Sequence, residues 1–364
     1  MIYLKTELAE ALEAGDKDSV LAALQQAIEL EHATIPTYLY ALYSIVPGKN
    51  DAIAEIIQSV VIEEMLHLVL VANVLNALGG SPVLDKPDFI PSYPGPLPGA
   101  VEADLIVPLE PLSIALVTDV FMAIEQPEDE LDFPVVEAAL AAAAAPLTIG
   151  QFYRDIKKTI EELGEEAFVS GPRNQIGPDQ MDQAVVVTDV ATAGQAIDTI
   201  IEQGEGTETE PLEVVGTGYA HYYRFAEISN GGRLVPNPDA GPDTKPDDRY
   251  FYDKANHPVP FDASGVYPVP KNPKVNGETP PTYPPGAVGQ IANDNFNYTY
   301  TGLLRVLHRT LNGHPEQLDT AIAMMMSLRQ QAMDMASGAD TSNKNVGPSF
   351  EYQPVNPGLR SASA

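Results

Sequence analysis

Two long stretches of the chain carry a helical hydrophobic period. At about 100° per residue, Val20, Leu24, Ala27, Ile28, Ile35, Tyr38, Leu42 and Ile45 share one face of the run 20–45, with Glu31 at the centre of that face. The same projection of the run 51–78 gathers Ile53, Ile57, Val60, Val71, Leu75 and Leu78 around Glu64, with His67 one turn on. A five-residue link, PGKND, joins the runs, short enough to make them antiparallel neighbours. Each helix therefore turns an acid toward the shared core. An ionised carboxylate there costs several kcal/mol unless something compensates it, and a Glu-x-x-His step beside a Glu from a neighbouring helix is one way a helical bundle holds metal.

The same patterning predicts a short helix over 1–18 and a third amphipathic helix over 112–125, with Ile114, Val117, Phe121 and Ile124 inward. The alanine-rich stretch from Ala138 is helix-prone and stops at Pro146. Thr148 and Gln151 read as a capping box that opens a helix to Leu163. Further helices are expected over 191–202, over 213–229 with Val214, His221, Phe225 and Ile228 inward, and over 294–311 and 316–336 as a terminal hairpin. A short strand is expected at 184–187. Pro36 interrupts the first long helix and should kink it. Residues 81–111 read as an ordered crossover, 231–290 as a proline-rich irregular excursion, and GPSFEY onward as an extended tail. The organisation expected is a mainly α chain: a four-helix bundle over 1–230, the excursion over 231–290 packed on it, and a helical hairpin with a tail over 291–364.

Composition narrows the chemistry. Without a single Cys, thiolate metal sites and cysteine nucleophiles are excluded, so a metal must be held by Glu, Asp and His, which suits iron, manganese or zinc. A formal charge of −31, from 51 acidic and 20 basic residues, argues against nucleic acid and anionic membrane surfaces as partners. The N-terminus shows no basic stretch followed by an apolar one, so a cytoplasmic protein is expected. The apolar run from Val60 to Leu75 is broken by Glu63, Glu64 and His67 and reads as a buried bundle helix rather than a membrane span.

Other polar groups lie beside these. Glu29 and His32 repeat the Glu-x-x-His spacing, but Glu29 projects opposite to Glu31. Glu63 lies about 100° around the helix from Glu64 and reads as solvated or at a helix contact. Tyr38 shares the face of Glu31 and could hydrogen-bond a ligand carboxylate or simply fill the core. His257, His308 and His314 carry no assignment.

The segments ELEHATIPTYLYALYSI and EEMLHLVLVANVLNALGGSP, with TIGQFY, IIEQGEGT, AHYYRFAEI and GPSFEY further on, resemble the ferritin-like domain of iminophenyl-pyruvate dimer synthases, which couple oxidised aromatic amino acids. The resemblance implies a ferritin-like four-helix bundle and an oxidative enzyme acting on a small aromatic amino-acid-derived substrate, with a homo-oligomer as one arrangement. Such bundles take one Glu from each of two helices and a Glu-x-x-His from each of the other two. Glu31, then Glu64 with His67, match the first two, and His221 matches the last His. The chain departs at Gly218, where the last acid is expected, and at Gln151, which falls on the polar side of its helix; Glu125 is a weaker substitute. The expected metal ligands are thus Glu31, Glu64, His67 and His221, holding a divalent ion, iron first, with manganese or zinc as alternatives. The two departures also allow a bundle with a structural or binding role and no turnover.

Overall fold

The computed structural model describes residues 12, 15–98, 105–127, 131, 133, 149–207, 210–211, 218–275, 282–338 and 344–353. Helix α1 (Lys17–Tyr43) opens on Asp16, whose carboxylate accepts from the Ser19 amide at 2.8 Å, a side-chain cap for an otherwise unpaired donor. Helix α2 (Asp51–Ala77) returns antiparallel and ends at Gly79, where φ is +85°, a conformation glycine adopts without strain. From Leu66 to Ala77 every residue of α2 is buried, because other helices and the irregular segment 169–187 cover it. This helix has the length and apolar character to cross a membrane, with a mean hydropathy of 1.6, yet 78% of its apolar window is buried inside the protein.

The other two walls of the bundle are each made of two half-length helices. Helix α3 (Ile114–Ile124) starts beside the end of α1, where the Leu112 amide bonds Ser44 Oγ at 2.9 Å, and descends to mid-bundle, where Tyr38 Oη donates to Glu125 at 2.5 Å. Helix α4 (Ile149–Leu163) resumes there, with Tyr153 donating to Glu31, and runs on to the far end, where the following Ala167 carbonyl accepts from Lys17. Helix α5 (Val190–Glu205) climbs back from that end, its Asp189 and Thr192 forming a capping box, and stops at mid-bundle against His67. Helix α6 (His221–Asn230) takes over at Glu64 and rises until Ser229 meets Thr118 of α3. Both walls are therefore interrupted at the level of Glu31 and Glu64, which sit near the middle of α1 and α2.

Several expectations change here. The third helix is not uniformly α: Val117–Phe121 forms a π-turn between two α segments. The fourth wall is not a single helix over 213–229, since α6 begins at His221 and 212–217 lie outside the described residues. Residues 184–187 take no regular secondary structure and pair with no strand among the described residues. The excursion after 230 holds an antiparallel pair instead, β1 (Gly232–Pro236) with β2 (Tyr250–Pro258), in register Arg233 to Asp253 through Pro236 to Tyr250. It is clamped to α6 by Glu227, which accepts from the Leu234 amide at 2.9 Å and from Arg233 at 2.8 Å. The expected helix over 1–18 and the alanine-rich stretch from Ala138 fall largely or wholly outside the described residues.

Helices α7 (Val288–Thr310) and α8 (Leu318–Ser337) form the terminal hairpin on the outer side of α1. The tail lies along α7: Asn293, Asn297 and Thr301 accept from the amides of Ser349, Glu351 and Gln353. Four residues of helix rise about 6 Å and two residues of extended chain about 6.6 Å. A spacing of four on the helix thus stays in step with a spacing of two on the tail, and the alternate backbone donors of Ser349, Glu351 and Gln353 are satisfied without a sheet.

Candidate metal centre

Five side chains converge where the helices break. Glu31 Oε2 lies 3.4 Å from His67 Nδ1, and Glu64 Oε1 lies 3.9 Å from it. On the other side, His221 Nδ1 lies 3.0 Å from Glu64 Oε1 and 3.4 Å from Glu125 Oε2. Two three-donor groups result, Glu31–Glu64–His67 and Glu64–Glu125–His221, and they share Glu64. The two imidazoles stack at 5.3 Å between centroids. All five residues are buried, none more than 6% exposed.

Each of the five is pinned by one atom and presents the other inward. The three carboxylates each accept a hydroxyl on their outer oxygen: Tyr153 on Glu31 Oε1, Thr34 on Glu64 Oε2 at 2.6 Å, and Tyr38 on Glu125 Oε1. His67 Nε2 meets Gln203 Oε1 at 2.9 Å, while the Gln203 amide donates to Gln183. His221 Nε2 meets Glu63 Oε2 at 2.9 Å, and Arg224 grips that same carboxylate at 2.8 and 3.0 Å. Since both outer partners can only accept, each Nε2 carries the ring proton and each Nδ1 turns a lone pair inward. His221 Nδ1, fully buried, has no hydrogen-bond partner.

Lone pairs and carboxylate oxygens facing one another repel unless a cation lies among them. Without metal, protons fill that role. Burial, then repulsion from Glu125, lifts Glu64 to about 7. Burial alone would lower both imidazoles, but Glu31 and Glu64 raise His67, and Glu125 with Glu63 and Glu64 raise His221. The chemistry of the donor set fits divalent metal: hard carboxylates and borderline imidazoles with no thiolate suit iron, manganese or zinc. Oriented outer partners on every donor are what a metal site requires beyond its ligands.

The structure brings Glu31, Glu64, His67 and His221 together and places Tyr38 on Glu125. Glu125, ranked by periodicity at the edge of its helix, belongs to the cluster; the π-turn before it takes in an extra residue per turn and rotates it inward. Glu63 is not solvated: its side chain is 21% exposed and tied to Arg224 and His221, which together, against the opposing effect of burial, draw it down to about 2. Gln151 stays on the polar side, reaching Asp155, and Thr148 of its expected capping box lies outside the described residues. Gly218 precedes α6, so no helical Glu-x-x-His step exists there. His32 points away, into a pocket with Phe89 and Tyr300, where burial drops it to about 3 and keeps it neutral. Thr34, Tyr153 and Gln203 went unnoticed in the sequence, and the adjacency of TIGQFY and IIEQGEGT to helix starts and ends was the signal available.

Known proteins sharpen the assignment. The profile of the Ferritin-like family matches residues 24–230, more than half of the chain. The chain belongs to the ferritin-like family. That match ends with α6, so it spans both helix breaks and all five residues of the cluster. A dichlorochromopyrrolate synthase of Lentzea aerocolonigenes is 25% identical to this ferritin-like chain; the alignment covers 92% of the chain but 36% of that enzyme, so the chain spans about a third of the relative's length. The crystal structure of a ferritin like protein from Caulobacter vibrioides superposes with a TM-score of 0.58 at 23% identity, over 92% of this chain and 97% of that one, which establishes the shared fold.

Proposed function

We propose that this ferritin-like chain is a non-haem metal-dependent oxidoreductase that oxidises or couples a small aromatic amino-acid-derived substrate. The observation that supports it is the oriented donor set: five buried side chains, each fixed by an outer hydrogen bond, with inward atoms in two groups that share Glu64. Glu31, Glu64 and His67 would hold one cation and Glu64, Glu125 and His221 another. Bound there, a redox metal would supply Lewis acidity and one-electron chemistry. The chain's own part is to keep the donors aimed. Tyr38 and Tyr153, both held well above their usual range by burial and then by the neighbouring carboxylates, stay protonated and keep donating. Tyr38, Phe121 and Phe225, packed with centroids 4.7 to 5.2 Å apart, close the side toward the end of α1 and exclude water there. The substrate class rests on the resemblance to the dimer synthases and on the Lentzea relative.

A second reading is a bundle that keeps its shape without turnover, and Gly218 is the observation in its favour. Elemental analysis of protein purified without chelators separates the two. Stoichiometric transition metal that disappears in Glu64→Ala supports the enzyme; metal-free protein of unchanged stability in that variant leaves only the structural role.

A further inference from the structure

Glu205, at the end of α5, is a buried carboxylate that the metal centre does not use. One oxygen accepts from the Gly150 amide at 2.9 Å, and Arg154 lies 3.7 Å from the other. A cavity of about 20 Å³, room for roughly one water, is lined by this carboxylate together with Glu125, Tyr153, Gly150 and Gly204. A Cβ on Gly204 would stand 3.7 Å from Glu125 Oε2, which is the oxygen that faces His221 Nδ1. The ligand atom itself therefore borders this end of α5. On the outer side, a groove of about 440 Å³ lies along α4 and α5, bounded by Arg154, Lys157, Asp198 and Glu202. Ile201 lines both spaces. Arg154, 38% exposed, reaches from the groove toward Glu205.

We infer that divalent cations enter the centre along this line, from the groove past Arg154 to Glu205 and across the cavity to Glu125 Oε2. Such a route rests on the metal reading above and deepens it, since it gives the site a way to be filled. A hydrated cation does not fit a space the size of one water, so an ion in transit must exchange its waters for protein oxygens or bear the cost of a bare charge at this burial. Glu205 and Glu125 both line the cavity and supply those oxygens. The glycines keep the passage open: a Cβ on Gly150 would stand within 2.5 Å of the Glu205 carboxylate. Arg154 acts against entry, because its charge balances Glu205 and repels an approaching cation, and its exposed side chain is free to swing into the groove. On another side of the centre, the packed rings of Tyr38, Phe121 and Phe225 close the way.

The test is the rate at which the metal-free full chain takes up Co(II), followed by stopped-flow absorption, with stoichiometry and affinity measured at equilibrium on the same variants. A residue on the route slows entry and release alike and leaves the equilibrium where it was. Glu205→Gln keeps an oxygen for the Gly150 amide and loses only the charge. Charge steering alters association rates by about 10–1000-fold, and this variant should load about tenfold more slowly while reaching the wild-type stoichiometry and affinity. Arg154→Ala should load faster than wild type. Gly204→Val narrows the cavity without touching a charge and should also load slowly, which keeps the route testable if Glu205→Gln does not fold. Wild-type rates in both Glu205→Gln and Gly204→Val would overturn the route. So would a Glu205→Gln protein that loses affinity through faster release at an unchanged rate of entry, since Glu205 would then be a ligand. Wild-type protein that holds no Co(II) at equilibrium would instead strike the metal reading itself, an outcome distinct from loading that is slow but complete.

Discussion

The two halves of the centre are built differently. Glu31, Glu64 and His67 sit in the middle of two unbroken helices, where a rigid period fixes which way each side chain points. Glu125 and His221 sit at the broken ends of α3 and α6, and their aim is set by a π-turn, by the helix start at His221, and by contacts to Tyr38 and Glu63. The outer partners differ as well: His67 leans on a neutral amide, His221 on a carboxylate held by arginine. A continuous helix gives a ligand its geometry for nothing beyond its own folding, whereas a broken one leaves geometry to tertiary contacts and opens a path to the site.

The most severe way to break the comparison is to remove the residue common to both halves. Glu64→Ala should abolish binding of both cations, while Glu31→Ala and Glu125→Ala should each leave one, and metal content per chain by elemental analysis reads the difference. Equal losses in all three variants would mean that the donors form a single site rather than two sharing Glu64.

Protonation gives the next largest effect, and its sign follows from the raised groups. Glu64 holds its proton to about 7 in the folded, metal-free protein, against a usual 4.5. Its contribution to stability is therefore present at low pH and declines as pH rises from about 4.5 to about 7. The imidazoles, also raised, stabilise below their usual 6.5 and lose that contribution as pH climbs through their folded values. A cation must displace all these protons. Between roughly pH 5 and 8, the melting temperature gained on adding metal should grow, and titrations in buffers of different ionisation enthalpy should show proton release that is greatest at the acid end. Metal stabilisation that is flat across this range would contradict the protonated state of the metal-free cluster.

The sequence shows the unbroken half plainly. Periodicity alone places Glu31, Glu64 and His67, because each sits near the middle of one continuous helix. It ranks Glu125 low, because one π-turn adds a residue and shifts everything after it. It leaves Glu63 either solvated or at a helix contact, since a helical projection of α2 knows nothing of Arg224 and His221 arriving from α6. His221 is legible as a ligand only through the family resemblance, since its helix does not reach back to Gly218. The outer hydrogen bonds join residues 30 or more positions apart, and local pattern carries no record of them.

The outer partners separate the halves more finely. Glu63→Gln keeps a hydrogen-bond acceptor for His221 but removes the charge and its grip on Arg224. It should weaken the cation held by Glu125 and His221 by roughly 10–100-fold, the usual cost of losing an outer partner, and leave the Glu31–His67 cation nearly unchanged. Gln203→Glu should do the converse, strengthening the His67 side and reducing the asymmetry. Stepwise affinities from competition with a fluorescent chelator would show it, and equal weakening of both ions by Glu63→Gln would end the claim that the halves are electronically distinct.

The smallest effects belong to the hydroxyls. Tyr153→Phe and Tyr38→Phe each delete one donor to an outer carboxylate oxygen, on Glu31 and Glu125 respectively, without changing the ring that fills the core. A hydrogen bond to a charged group is worth about 1.5–3 kcal/mol, but in the metal-loaded protein the cation already holds the carboxylate, so the loss should be at the low end. In the metal-free protein the freed oxygen has no such support, and the cost should be greater there. Because Glu31 sits on a continuous helix and Glu125 on a helix end, Tyr38→Phe should loosen its half more than Tyr153→Phe loosens the other. Urea denaturation of both variants with and without metal measures this. If the Tyr153 variant proves as costly as the Tyr38 variant, helix continuity is not what holds the ligands in place, and the hydroxyls are doing that work on both sides.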